Sequence, residues 1–407
     1  MRVLIVNTVC EGFSTGKIAS SFCEELNRRG HEAILAYGYE NGPSGIDNTV
    51  RLSNGFEYFV HHVVNAVTGY HSKWAPLPLK RFRNLFEKFK PDLVQLYNLH
   101  GYYMDIYGLF EFLSKKRVPI VYGMLDEYAY LGYCAYSYDC NQFKTGCKDC
   151  NGIKVRGYLG SWFFNRARRT FLLKQDAYRK NRICFTGPKW VIERAQESAL
   201  LREHKLYEID EFVDNDKTYI LRDKNIIRDK LGISEDEVMI LNVAPSDDPR
   251  KGVGDFIEFA KRVSNNKLRF VNVGNKSEES DFPDNYIGVP YVSDQIELSE
   301  YYSAADILFC TSHADTMPNV CLEALSCGTP VMGYKVTGVP YVAETPVGQF
   351  FSLDDTENIL RHLNGLKRKT FNQEFACREY AVKRYSLNTY TDKQIGIYEF
   401  MISRSRT

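Results

Sequence analysis

Short apolar runs alternate with amphipathic segments along almost the whole chain, and this alternation narrows the fold most. Arg2–Val9, Glu32–Tyr37, Asp92–Leu96, Val118–Met124 and Ile183–Thr186 each read as a buried strand. A second series follows at Val238–Ala244, Leu268–Val273, Tyr286–Val289, Ala305–Cys310 and Pro330–Tyr334. Helical patterns lie between them, among them Ile18–Arg29, Leu77–Lys90 and Val253–Val263. Strands this apolar, separated by helices, predict parallel sheets covered on both faces. At 407 residues the chain exceeds one ordinary core. The two series therefore predict a two-lobed α/β protein with a cleft between the lobes. The charged, irregular stretch from Glu203 to Lys224 reads as the connection into the second.

Within the second series, Ala305–Tyr334 is strand, loop, helix, strand. The loop carries Asp315, and Met317-Pro318-Asn319 starts the helix, since proline suits a first helical turn. Val320, Leu322, Ala324 and Leu325 make the helix mostly apolar, Glu323 stands one turn inside it, and Gly328 with Pro330 closes it. Ligands of open α/β sheets bind beyond the carboxyl ends of strands, and a helix N-terminus favours an anion such as phosphate. Asp315 and Glu323 can both accept hydroxyl hydrogen bonds there, although solvated acids on an ordinary βαβ unit would look the same. A second strand-to-helix loop, Pro245–Gly252, sets Arg250 beside Lys251, a pair able to clamp a diphosphate. In the first half, Cys10–Lys17 reads as a glycine-bearing loop containing Ser14, Thr15 and Gly16. It matches neither G-x-G-x-x-G nor the P-loop. His100 and Asp126 each follow a predicted strand, at places where loops line a cleft; a structural role for His100 fits as well.

The net charge of +1 gives no global field that would select a nucleic acid. The opening run MRVLIVNTV reads as a strand, not a leader, and no run reaches bilayer-spanning length. The expectation is a cytoplasmic protein with reduced cysteines. Cys134, Cys140, Cys147 and Cys150 crowd into one short segment. Four thiolates suit tetrahedral zinc, while reduced loop thiols, an iron–sulfur cluster or two disulfides fit the same spacing. Two basic stretches stand out. Leu77–Lys90 interleaves Leu79, Phe82, Phe86 and Phe89 with cations, and Lys154–Arg182 carries nine Lys/Arg and one acid, Asp176. Both read as helices with an apolar stripe and solvated cations, or as approaches to an anionic membrane surface.

Taken together, SHADTMPNVCLEALSCGTPV, VAPSDDPRKGV, YYSAADILF and KVTGVPYVAE resemble the donor-binding half of retaining GT-B glycosyltransferases of family four. The amino half is similar to a bacterial surface-polysaccharide subgroup of the colanic-acid type, through NTVCEGFSTGKIA, NLHGYY, DEYAYLGYCAYSYDC and GCKDC. The resemblance implies the GT-B fold, two facing Rossmann-like domains with the active site in the interdomain cleft, residues 1–200 on the acceptor side and 201–384 on the donor side. Residues 385–407 would form a helix that crosses back to the first. It implies a nucleotide-sugar donor linked to UDP or GDP. Glu323 would hold the ribose, Asp315 the transferred sugar, and Arg250 and Lys251 the diphosphate, in place of a catalytic metal. Pro318, Asn319 and Val320 would lie close to the sugar and diphosphate, and Ser14, Thr15 and Gly16 would close over the phosphates. Asp126 and His100 complete the expected catalytic group. The acceptor would be an oligosaccharide linked to a lipid diphosphate at the inner face of the cytoplasmic membrane, with no nucleic acid partner. Two positions depart from the family pattern. Asp315 replaces a glutamate, and Leu125 replaces the histidine that precedes the strand-end aspartate, a role His100 is placed to share. A catalytically silent sugar binder, a nucleotide-sugar epimerase on the same fold and a metal-dependent scaffold are the rival expectations.

Overall fold

A computed structural model of the chain describes residues 1–39, 45–70, 72–150, 163–275 and 282–403. It divides into two compact units, Met1–Glu211 with Tyr390–Thr407, and Phe212–Thr389. The division follows Glu211 instead of residue 200, because Lys205–Glu208, inside the stretch read as a connection, is a strand of the first sheet.

The first unit contains β1 (Arg2–Asn7), β2 (Glu32–Tyr37), β3 (Thr49–Arg51), β4 (Leu93–Leu96), β5 (Ile120–Gly123), β6 (Ile183–Gly187) and β7 (Lys205–Glu208). They pair in parallel in the order β3-β2-β1-β4-β5-β6-β7. Val3, Leu4, Ile5 and Val6 are fully buried, as expected of a strand covered on both faces. Helix Pro76–Phe89 buries Leu79, Phe82, Phe86 and Phe89 and leaves Lys80, Arg83 and Lys88 exposed, so its apolar stripe packs inwards. The helix Leu387–Ser403 groups with this unit from Tyr390 onwards. There the Tyr390 and Tyr97 hydroxyls lie 2.6 Å apart, Tyr398 donates to Gln95 Oε1 at 2.7 Å, and Phe22 meets the Tyr390 ring edge-on.

The second unit contains β8 (Val238–Val243), β9 (Leu268–Val273), β10 (Tyr286–Val289), β11 (Ile307–Cys310), β12 (Val331–Tyr334) and β13 (Gly348–Phe351). Their parallel order is β10-β9-β8-β11-β12-β13. Asp306, just before β11, is nearly inaccessible. It accepts from the Met239 amide of β8 at 2.8 Å and the Lys369 amide at 3.0 Å, and pairs with Arg228 and Arg368. In each sheet the order reverses beside the first strand, between β1 and β4 and between β8 and β11, where the loops part and leave a crevice for ligands.

Candidate functional site

In the second unit, the loops that leave β8 and β11 are tied together. Asn242 donates to Thr311 Oγ1 at 2.8 Å, Thr311 donates to the Lys251 carbonyl at 2.9 Å, and the His313 amide donates to the Arg250 carbonyl at 2.7 Å. Gly252 has φ 63°, and a Cβ there would overlap the Thr311 carbonyl oxygen, so only glycine lets the loops close. Arg250 and Lys251 sit on a short 3-10 turn, Pro249–Lys251. Lys251 Nζ is 2.6 Å from Asp315 Oδ2, and Arg250 forms a forked pair with Asp248.

The loop after β12 braces Asp315 from the other side. Thr337 Oγ1 accepts from the Asp315 amide at 2.9 Å and donates to its carbonyl at 2.7 Å, and the Gly338 amide donates to the same carbonyl at 2.8 Å. A Cβ on Gly338 would overlap the Thr316 carbonyl, which accounts for the glycine of KVTGVPY. Helix Asn319–Ser326 follows, with Pro318 at its N-cap rather than inside the first turn, and no side chain caps it. Its leading amides lack intrahelical acceptors. The Asn319 Oδ1 atom is buried without a hydrogen-bond partner, and Val320 is half-buried beside it. Glu323 Oε2 accepts from the Tyr302 hydroxyl at 2.6 Å. Burial first, and then the Glu323 carboxylate, push the Tyr302 and Tyr219 hydroxyls up, so both stay protonated donors that hold the carboxylate in place.

In the first unit, the two strand-end candidates form one pair. His100 Nε2 is 2.5 Å from Asp126 Oδ2, Asp126 Oδ1 accepts from the Tyr128 amide at 2.8 Å, and the His100 ring meets Tyr128 edge-on. Thr8 holds the β4 loop by donating to the Asn98 and His100 carbonyls. Gly101 has φ 117°, and a Cβ there would overlap the Thr8 methyl. Ser14, Thr15 and Gly16 are not in a loop: helix Phe13–Arg28 begins before them, with Gly12 at its N-cap. Gly16 packs so close to the Cys10 carbonyl that a Cβ would sit 3.0 Å from its oxygen, which lets the helix start early.

The basic stretch Lys154–Arg182 needs a correction as well. Lys154, Arg156 and Trp162 lie outside the described residues, the helix there is Ala167–Arg179, and Lys174 is buried within it. Its ammonium donates to the Tyr128 carbonyl at 2.5 Å and the Leu131 carbonyl at 3.0 Å, and stands over the Tyr128 ring. Burial pulls it down to about 7, against the pull of Asp126 and two cysteines. Its spacing from Phe171 and Tyr178, both buried, was the available signal. Glu127 is buried too, raised by that burial and held by Ser137 and Tyr130. Cys134, Cys140, Cys147 and Cys150 line one small cavity beyond this loop. Burial and the neighbouring thiols push Cys134 up to about 12.

Comparison with known proteins fits this geometry. Residues 16–144 match the family described as Glycosyltransferase Family 4, and residues 223–384 match Glycosyl transferases group 1. The alpha-monoglucosyldiacylglycerol synthase of Acholeplasma laidlawii is 23% identical, with 77% of each chain covered. The putative colanic acid biosynthesis glycosyl transferase WcaC of Escherichia coli is 21% identical over 84% of this chain and 82% of that one. Among solved structures, Anabaena Alr3699/HepE in complex with UDP superposes with TM-score 0.68 at 13% identity, covering 98% of this chain and all of that one. With a group 1 domain over its second unit and a family 4 domain over most of its first, the chain is a glycosyltransferase of GT-B type, of the family-four kind.

Proposed function

We propose that the second unit binds a nucleoside diphosphate sugar, UDP-linked, and that its sugar passes with retained anomeric configuration to a lipid-anchored or polysaccharide acceptor at a membrane surface. The observation that carries this reading is the Lys251–Asp315 pair, set with Arg250 beside the N-terminus of helix Asn319–Ser326. Loss of the nucleoside diphosphate leaves an oxocarbenium-like sugar and a highly charged leaving group. Lys251, Arg250 and the helix N-terminus stabilise that charge without reorganising. Glu323, fixed by phenol donors, accepts from the ribose hydroxyls, and Asp315 accepts from a sugar hydroxyl. Asp315 is engaged by Lys251, and Asp126 by His100 and the Tyr128 amide. Neither is left as a free nucleophile, which favours attack by the acceptor hydroxyl from the leaving-group face.

The UDP assignment draws support from the UDP held by the Anabaena relative. Calorimetric titration of UDP and of GDP into wild type and Glu323→Ala tests it. UDP is expected to bind wild type, and the loss of charged hydrogen bonds to ribose should weaken it about 10- to 100-fold in the variant. Binding of GDP alone would overturn the uridine assignment, and binding of neither to folded protein would overturn the donor reading itself.

The membrane side rests on a different surface. Helix Gly55–Thr68 exposes Phe56, Phe59, Val60 and Val67 at helical spacing, and Trp74 and Leu77 are exposed further along the same unit. Lys80 and Arg83 on the following helix are exposed too. Apolar side chains next to cations suit an anionic bilayer. No helix among the described residues is long and apolar enough to cross a membrane. Sedimentation with phosphatidylglycerol vesicles is expected to drop roughly tenfold in Phe56→Glu/Phe59→Glu, as two large apolar contacts are lost; unchanged sedimentation would remove this surface from the reading.

A further inference from the structure

The walls of the cysteine cavity come from one stretch of chain and the start of one helix. Cys134, Cys140, Cys147 and Cys150 all face it, together with Gly132 and Ala167, and its volume is about 20 Å³. That is room for a single small ion or one water. All four cysteines are free thiols. The backbone bends to bring them there: Gly146 and Cys147 have φ of 95° and 53°, consecutive left-handed residues that turn the C-x-x-C segment. Opposite them, a Cβ on Gly132 would sit 3.0 Å from Cys147 Sγ, so glycine lets backbone approach sulfur there.

A second observation is electrostatic. Lys174 is buried under the same loop and makes no ion pair among the described residues; its donors go to two carbonyls. A buried ammonium with only Asp126, Cys134 and Cys147 acting on it from nearby is favoured by further negative charge. Arg168 adds a further cation at the rim, donating to the Gly146 carbonyl at 2.9 Å. The surroundings of the four thiols are thus arranged for a net negative centre.

We propose that Cys134, Cys140, Cys147 and Cys150 bind one zinc ion as a tetrathiolate that staples the loop carrying Asp126. Four thiols lose four protons to solvent and give Zn(S-Cys)₄ with a net charge of −2, opposite Lys174 and Arg168. Among the described residues no three ligating side chains already stand at metal-binding positions, so binding draws the sulfurs inwards from the cavity wall. The fold gives the staple a purpose. Between β5 and helix Ala167–Arg179 the described chain has only a short 3-10 turn, Gln142–Lys144, as regular structure. Segments this long without secondary structure are held by other means when they carry function. Here buried polar contacts from Lys174, Tyr178 and Ser198 hold the Asp126 end, and zinc would hold the other.

Metal analysis of the full chain, purified without chelator from zinc-supplemented medium, tests this independently of the donor reading. One zinc per chain is expected, with strong visible absorption of tetrahedral cobalt thiolate after exchange with cobalt. Cys147→Ser/Cys150→Ser is expected to lose the metal. Metal-free wild type with four alkylatable thiols, iron with acid-labile sulfide, or two disulfides by intact mass would each overturn the proposal.

Discussion

Replacing Lys251 with alanine is expected to lower sugar transfer at saturating donor by about 10²- to 10⁴-fold, with the protein still folded. The lower bound is the typical effect of removing one preorganised donor from a developing anion, and the upper approaches that of losing a cation from a transferring phosphoryl group. Two effects act together here. The leaving diphosphate loses a cation, and Asp315, now without its partner at 2.6 Å, presents an unbalanced carboxylate to that anion. Folding should survive, because the Lys251 side chain is partly exposed while its carbonyl, which anchors Thr311, is untouched. Lys251→Arg should recover part of the rate by restoring charge with a different reach. A loss of less than tenfold in Lys251→Ala would remove the lysine from the leaving-group site.

The largest expected effect on stability lies at Asp306. Its alanine variant should cost the second unit about 3–5 kcal/mol, the range for breaking a buried ion pair from one side. Arg228 would stay buried with its guanidinium partly unpaired, and the Met239 and Lys369 amides would lose their acceptor. The consequence reaches the site, since Asp306 joins the start of β11 to β8, and these strands bear the Asp315 and Lys251 loops. In a two-unit chain a single unfolding free energy is poorly defined, so urea titration of UDP binding is the better readout. The variant should lose binding at clearly lower urea than wild type. Coincident midpoints would show that the network is not what fastens the strands.

Much of this was legible in the residues. Mostly apolar runs mark the strands, so β2, β9 and even the edge strand β10 have the bounds the sequence predicts, and most others differ by a residue or two. The other edge strands, β3, β7 and β13, were not visible, because they are short and carry polar residues: Lys205–Glu208 has no fully buried residue. In the second unit, the loops after β8 and β11 were identifiable as loops that meet, because a few glycines and charges must sit at strand ends to let them do so. Contacts across the fold were not. Only its spacing from Phe171 and Tyr178 sets Lys174 apart from its solvated neighbours, and nothing in His100 or Asp126 announces that their loops converge. Ser14 to Gly16 misled for a local reason: two glycines and two hydroxyl residues look like a loop, yet Gly16 is there so that a helix can pass close to the Cys10 carbonyl.

The hydroxyl contacts of Tyr390 and Tyr398 with Tyr97 and Gln95 have a consequence for how the chain is made. Translation runs from the amino end, and domains begin to fold as they emerge. The sheet bearing Gln95 leaves the ribosome early, but its covering residues arrive only after all of Phe212–Thr389 has been synthesised. Until then Phe22, Gln95 and Tyr97 lack those partners. The unit begun first is completed last, so a nascent chain stalled anywhere in the second unit carries an open first one, exposed to chaperones and proteases.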